Sequence, residues 1–208
     1  MLLGSCQQVK KGNGNVASEH RDLPAFHSVK SSGIFELVLV KGDPAVMISA
    51  DENLHEYIKT EVKNGQLLIS SDQYVLDAEE LKVVIHCDDL EDITISGAAK
   101  ISAPQPIDAN ELTLHVSGAA EADLTLQVNY FEVNLSGGAE IKLKGSAKRV
   151  NFDLSGAADV DASELRTSEA KIIISGAGEV SIIAERVLDV NISGAGEVNY
   201  WGDPEITQ

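Results

Sequence analysis

Residues 112–126 read LTLHVSGAAEADLTL, and side-chain parity along them decides the fold. Even positions run Leu112, Leu114, Val116, Gly118, Ala120, Ala122, Leu124 and Leu126. Odd positions run Thr113, His115, Ser117, Ala119, Glu121, Asp123 and Thr125. Apolar and polar residues alternate with period two, the pattern of extended chain with one face against a core. The same alternation carries Phe131, Val133, Leu135, Gly137, Ala139, Ile141 and Leu143, then Val150, Phe152, Leu154, Gly156, Ala158, Val160 and Ala162. It returns at Leu188, Val190, Ile192, Gly194, Gly196, Val198 and Tyr200, and no helical period competes.

The phrase at the centre of that stretch recurs. TISGAAKIS, HVSGAAEAD, NLSGGAEIK, DLSGAADVD, IISGAGEVS and NISGAGEVN place its serines at 96, 117, 136, 155, 175 and 193, with separations of 21, 19, 19, 20 and 18. A period near 20 marks a repeat architecture in which each unit leans on its neighbours. Twenty residues hold about three short strands and their turns. The spacing therefore predicts an all-β, right-handed parallel β-helix, a solenoid of about 20 residues per coil. A meander of antiparallel strands would require turn dipeptides between repeats, and no Asn-Gly or Asp-Gly follows residue 93. A left-handed helix of hexapeptides would not drift to 21. The repeat glycines Gly97, Gly118, Gly137, Gly156, Gly176 and Gly194 are expected to mark a bend shared by every coil, with small residues turned inward.

Residues 21–208 are expected to form one β-helical domain, irregular over 21–92 and regular over 93–203. In the irregular part, Val29, Ser31, Gly33, Phe35, Leu37 and Leu39 alternate as an early coil. Asp51 stands where it would cap one or two helical turns over SADENLHEY. Asn64-Gly65 signals a hairpin, and Cys87 shares a face with Leu81, Val83 and Ile85. At the far end, Tyr200, Trp201 and Pro204 suit a terminal cover. Residues 1–20 read differently. Leu3-Gly4-Ser5-Cys6 has the form of a bacterial lipobox, in which small residues precede a thiol that accepts diacylglycerol. Cys6 is thus the expected lipidation site, and the polar run behind it a flexible tether to the outer membrane, periplasmic or surface-exposed. The basic and most of the apolar parts of a signal peptide do not precede it.

Sixteen basic against 33 acidic side chains give a net charge of −17, a field that repels nucleic acid and anionic lipid surfaces. Aromatics make up 4 % and hydrophobics 43 %, so the core must be aliphatic. No run of 18 apolar residues occurs, so the membrane is expected to be met through a lipid anchor alone.

Few motifs carry chemistry. Gly176-Ala177-Gly178 and Gly194-Ala195-Gly196 lack the third glycine and the helix of a dinucleotide loop. The five histidines are scattered, and His86 and Cys87 face opposite sides of a strand. One constellation stands out. Three residues after each repeat glycine come Lys100, Glu121, Glu140, Asp159, Glu179 and Glu197. In register, the five carboxylates make a column that either serves solubility or holds cations, Ca²⁺ being the ion such a column would take. No catalytic residue and no cofactor is assigned.

The repeats, LPAFHSVKSSGIFELVLVKGD at 23–43, SADENLHEYIKTEVKNGQLLI at 49–69 and SGAGEVNYWGDPEI at 193–206 resemble the bacterial auto-transporter adhesin head domain, or head GIN domain, over about residues 21–206. The resemblance implies a right-handed β-helical fold, a cell-envelope location, an adhesive or surface role and no catalytic residues. The expected function is a non-catalytic envelope lipoprotein that binds a protein or glycan, with self-association through sheet faces or open ends. The alternative is a carbohydrate-active β-helix enzyme or polysaccharide-binding protein, whose groove would lie near residues 40–90.

Overall fold

The computed structural model describes residues 9–207. Among the described residues the fold is all-β apart from one 3-10 segment, Glu52–Tyr57. The strands are β1 (Val9–Lys11), β2 (Val16–Asp22), β3 (Ser28–Val40), β4 (Ala45–Asp51), β5 (Ile58–Lys63), β6 (Gln66–Ser71), β7 (Tyr74–Leu76), β8 (Leu81–His86), β9 (Asp92–Ile174), β10 (Ala177–Ile192), β11 (Ala195–Trp201) and β12 (Glu205–Thr207). β9 is an unbroken extended run of 83 residues that returns upon itself once per repeat. The main sheet is open, in the order β11-β10-β9-β3-β8-β4-β2.

Successive repeats pair in parallel and in register. Ala157, Ala177 and Ala195 are ladder partners, as are Val160, Val180 and Val198. β3 joins the same system with Gly33 opposite Gly97. The sheet is nevertheless mixed, where the sequence reading expects a parallel β-helix with one hairpin at Asn64-Gly65 in its irregular part. β2 runs antiparallel to β4, β4 to β8, and β5 to β6. The cause is partly local. Asn64 and Gly65 both take positive φ, 53° and 76°, the backbone of a two-residue hairpin turn, and such a turn returns the chain antiparallel.

The expected tether ending at residue 20 is also corrected, because the sheet begins upstream of it. β1 pairs with β7, and β2 pairs with β4 along its whole length. The side chains of β2 are mostly exposed, so no apolar pattern announces the strand. Backbone ladders hold it, together with Arg21, which donates to the Ile58 carbonyl at 3.0 Å and to Thr60 Oγ1 at 2.9 Å.

The glycine expectation divides. The phrase is a shared bend, but its first glycine does not face inward. Ser117, Gly118 and Ala119 are all exposed, and burial resumes at Ala120. Gly137 shows the reason for the residue type. Its φ is +145°, and a Cβ there would strike the carbonyl oxygen of Gly118 one repeat earlier. The same collision recurs from Gly156 onto Gly137, from Gly176 onto Gly156 and from Gly194 onto Gly176. The missing side chain points into the backbone of the preceding repeat. The core beneath is aliphatic as expected, with Leu114, Leu124, Val133, Ile141, Leu154, Ile172 and Ile182 fully or almost fully buried. Phe131 and Phe152 meet edge to face at 6.4 Å in its middle.

The two ends differ. At the first, the 3-10 segment buries Leu54, and Asp51 anchors the upstream chain. Asp51 stands at the N-cap position of this segment as expected, but its side chain makes no cap hydrogen bond and turns to other backbone donors. At the other end, Tyr200 and Trp201 are 44 % and 52 % exposed at the end of β11, so the expected aromatic cover is not formed.

Candidate functional site

The carboxylate column expected from the repeats is partly in register. Asp159, Glu179 and Glu197 are direct ladder partners. The earlier members are neutralised: Lys100 Nζ lies 3.1 Å from Glu121, and Lys142 Nζ lies 2.7 Å from Glu140. The hydrogen bond from Lys142 holds the Glu140 carboxyl below its ordinary pKa. Asn199 Nδ2 donates to Glu179 at 3.2 Å. Among the described residues no group of three or more His, Cys, Asp or Glu side chains could hold a metal ion. Cys6, the expected lipidation site, lies outside the described residues.

Cys87 is half-buried at the start of the acidic turn. Its thiol donates to the Asp89 carbonyl at 3.4 Å and approaches that of Phe26 at 3.6 Å. Burial, with Asp88 and Asp89 adding negative charge, pushes its pKa up to about 11. A thiol so placed is expected to react slowly.

Two polar hubs escape a reading by motif. Asp51 is fully buried, and its carboxylate accepts backbone N–H groups from Gly14 at 2.6 Å, Glu79 at 2.8 Å and Glu80 at 3.4 Å. Burial opposes its ionisation, but these donors outweigh it and hold the pKa below the ordinary value. Asp92 accepts from Ser28 Oγ at 2.9 Å and Thr94 Oγ1 at 3.1 Å, and His115 Nε2 stands 3.4 Å away. Nothing in sequence spacing joins 14, 51 and 79, or 28, 92 and 115; only the fold brings them together.

Two concave places matter. The first, about 420 Å³, opens beside the β3 bend and is lined by Ile34, Phe35, Ile58, Val75 and Leu81, with Ser71 and Gln73 as polar members. None of its described lining residues carries a carboxyl, basic or thiol group. The second, about 440 Å³, lies at a corner of the repeat region and is polar, with Gln127, Asn129, Lys148, Arg166 and Glu185 in its wall. Among the described residues no helix is long and apolar enough to cross a membrane.

Solved structures share the fold. The chain is similar to a putative adhesin from Bacteroides fragilis with a TM-score of 0.87 and 20 % identity, covering 95 % of this chain and 93 % of that one. It is also similar to a putative lipid binding protein from Parabacteroides distasonis, with a TM-score of 0.72, 23 % identity and coverage of 96 % and 95 %. A putative adhesin from Parabacteroides merdae follows at 0.68 and 20 %, covering 96 % and 94 %. No curated protein matches the sequence. The family model described as "Putative auto-transporter adhesin, head GIN domain" matches residues 25–204, and the chain belongs to that family.

Proposed function

We propose that the protein is a non-catalytic interaction module of the bacterial cell envelope, anchored by lipid at Cys6, whose stacked faces bind a surface protein or glycan. Its repeat region, 93–203, is read as a right-handed parallel β-helix of about 20 residues per coil. In-register parallel pairing at offsets of 20 and 18 residues, Ala157 to Ala177 to Ala195, supports that winding. Family membership and adhesin-like structural neighbours support an envelope or surface role.

The observation that carries the non-catalytic reading is the composition of the apolar cleft beside β3; the open hollow along residues 55–61, about 540 Å³, carries Glu19, Glu56 and Glu61 with Arg21 and is where the enzyme alternative would have to stand. A glycan-cleaving enzyme needs two carboxyl groups flanking the scissile bond. The cleft beside β3 is lined by Ile34, Phe35, Val75 and Leu81, with no carboxyl group among its described lining residues. The test is adhesion of beads coated with the chain to immobilised glycans and matrix proteins. Retention above uncoated beads on a defined ligand supports the module. Uniform failure, or cleavage of any glycan presented, overturns it. The anchor is tested separately by metabolic labelling with palmitate, which Cys6→Ala abolishes if the lipobox reading holds.

The same apolar cleft favours a second reading, capture of an apolar ligand, in line with the neighbour described as a putative lipid binding protein. Saturable uptake of a naphthylamine probe, blocked by Val75→Trp, would support it.

A further inference from the structure

Three of the four arginines, Arg149, Arg166 and Arg186, fall in the later repeats, in a chain of net charge −17. Arg186 is paired with Glu169. Among the described residues no carboxylate pairs with Lys148, Arg149 or Arg166. Unpaired cations are unexpected where acidic side chains outnumber basic ones two to one, because any flexible carboxylate nearby would be drawn to them.

The backbone is irregular at the same place. The β9–β10 ladder runs evenly until Ile182 opposite Ala162, then resumes with Ile183 opposite Arg166 and Ala184 opposite Thr167, and shifts again at Val187 opposite Glu169. Both irregularities of that ladder flank Arg166 and Thr167. Extra residues in a ladder re-aim side chains, and here they open the corner cavity of about 440 Å³. Lys148 and Arg166 stand in its wall with the amides of Gln127 and Asn129. Thr167 belongs to the same lining; it is fully buried, and its Oγ1 has no hydrogen-bond partner. A buried hydroxyl without a partner is costly unless something occupies it. Arg149, next to Lys148 in the chain, is not part of this lining; its guanidinium lies 5.9 Å from the centroid of the Tyr130 ring.

We infer that this corner binds an anionic saccharide. Arg166 and Lys148 meet the acid group, carboxylate or sulfate, while the Gln127 and Asn129 amides meet ring hydroxyls. Arginine suits a planar or tetrahedral oxyanion because its fork donates two parallel bonds. Amides beside the cations suit a polyhydroxy ligand better than a bare anion. The overall negative field disfavours a long polyanion such as nucleic acid and leaves this corner to a short acidic segment. Glu185, in the same wall, opposes the anion and sets a weak affinity.

The inference rests on the interaction-module reading and names a ligand class for it. The experiment is a titration of the full chain at low ionic strength with a uronate tetrasaccharide, a sulfated tetrasaccharide and a neutral one. At least one acidic probe should bind about tenfold more tightly than the neutral probe, and which one distinguishes carboxylate from sulfate. Lys148→Gln and Arg166→Gln should each weaken that binding several-fold, and Glu185→Gln should strengthen it, all with unchanged melting temperature. Equal binding of acidic and neutral probes, indifference to the three substitutions, or equally tight binding of a single-stranded DNA oligonucleotide would overturn the proposal. Acidic-probe binding with failed bead adhesion would retire the adhesive role and keep the site; adhesion without probe binding would retire the site alone.

Discussion

Gly137 and Gly138 are neighbours with opposite constraints. At Gly137 the backbone sits at φ +145° and the neighbouring coil fills the space a Cβ would take. At Gly138 the nearest foreign atom to a Cβ is the Ala157 oxygen at 3.9 Å. Gly137→Ala should therefore cost about 3 kcal/mol, a fall in Tm on the order of 10 °C, while Gly138→Ala should be neutral or slightly stabilising in the same melting experiment. Asp51 gives a second prediction. A carboxyl that ionises more readily in the folded chain than in the unfolded one adds stability at every pH above about 4, and loses that contribution as acid protonates the native form. Asp51→Asn should thus lower Tm at pH 7, and the gap to the parent should narrow as pH falls below about 4. Cys87 gives a third. In a Cys6→Ser background, its thiolate fraction at pH 8 should be about 100-fold below that of an ordinary thiol, so a disulfide reagent should modify it slowly until urea exposes it.

At the scale of the strand, what was legible followed a rule. Alternation over Leu112–Leu126 gave strand and buried face correctly except at the bend, where three residues in succession face water. Period two cannot reveal a corner, because the even positions are buried on both sides of Gly118 and the turn at the glycine leaves the parity unchanged. Asn64-Gly65 was legible because both residues belong to the turn that they form. β2 was not, because its hold on the sheet is a backbone ladder and one arginine, neither of which leaves an apolar pattern. The same divide governs the candidate sites. The carboxylate column follows from the repeat length, although Lys142 comes from the next outward position and had to be seen beside Glu140. The basic corner depends on two ladder irregularities that a spacing of about 20 conceals.

Across the whole molecule, the closed first end and the unfinished last one divide the chain. Asp51, Arg21 and the 3-10 segment tie the early strands to one another over separations of about 40 residues. Among the described strands, β11 and β12 form ladders with β10 alone. In a stack of repeats, stability is largely a sum of nearest-neighbour terms, and a terminal unit has one neighbour instead of two. The single indole, Trp201, stands on that terminal unit. The molecule thus carries its own gauge of fraying: on heating, emission from Trp201 should shift before circular dichroism reports loss of the remaining strands, and coincident transitions would mean that the last coil melts with the whole.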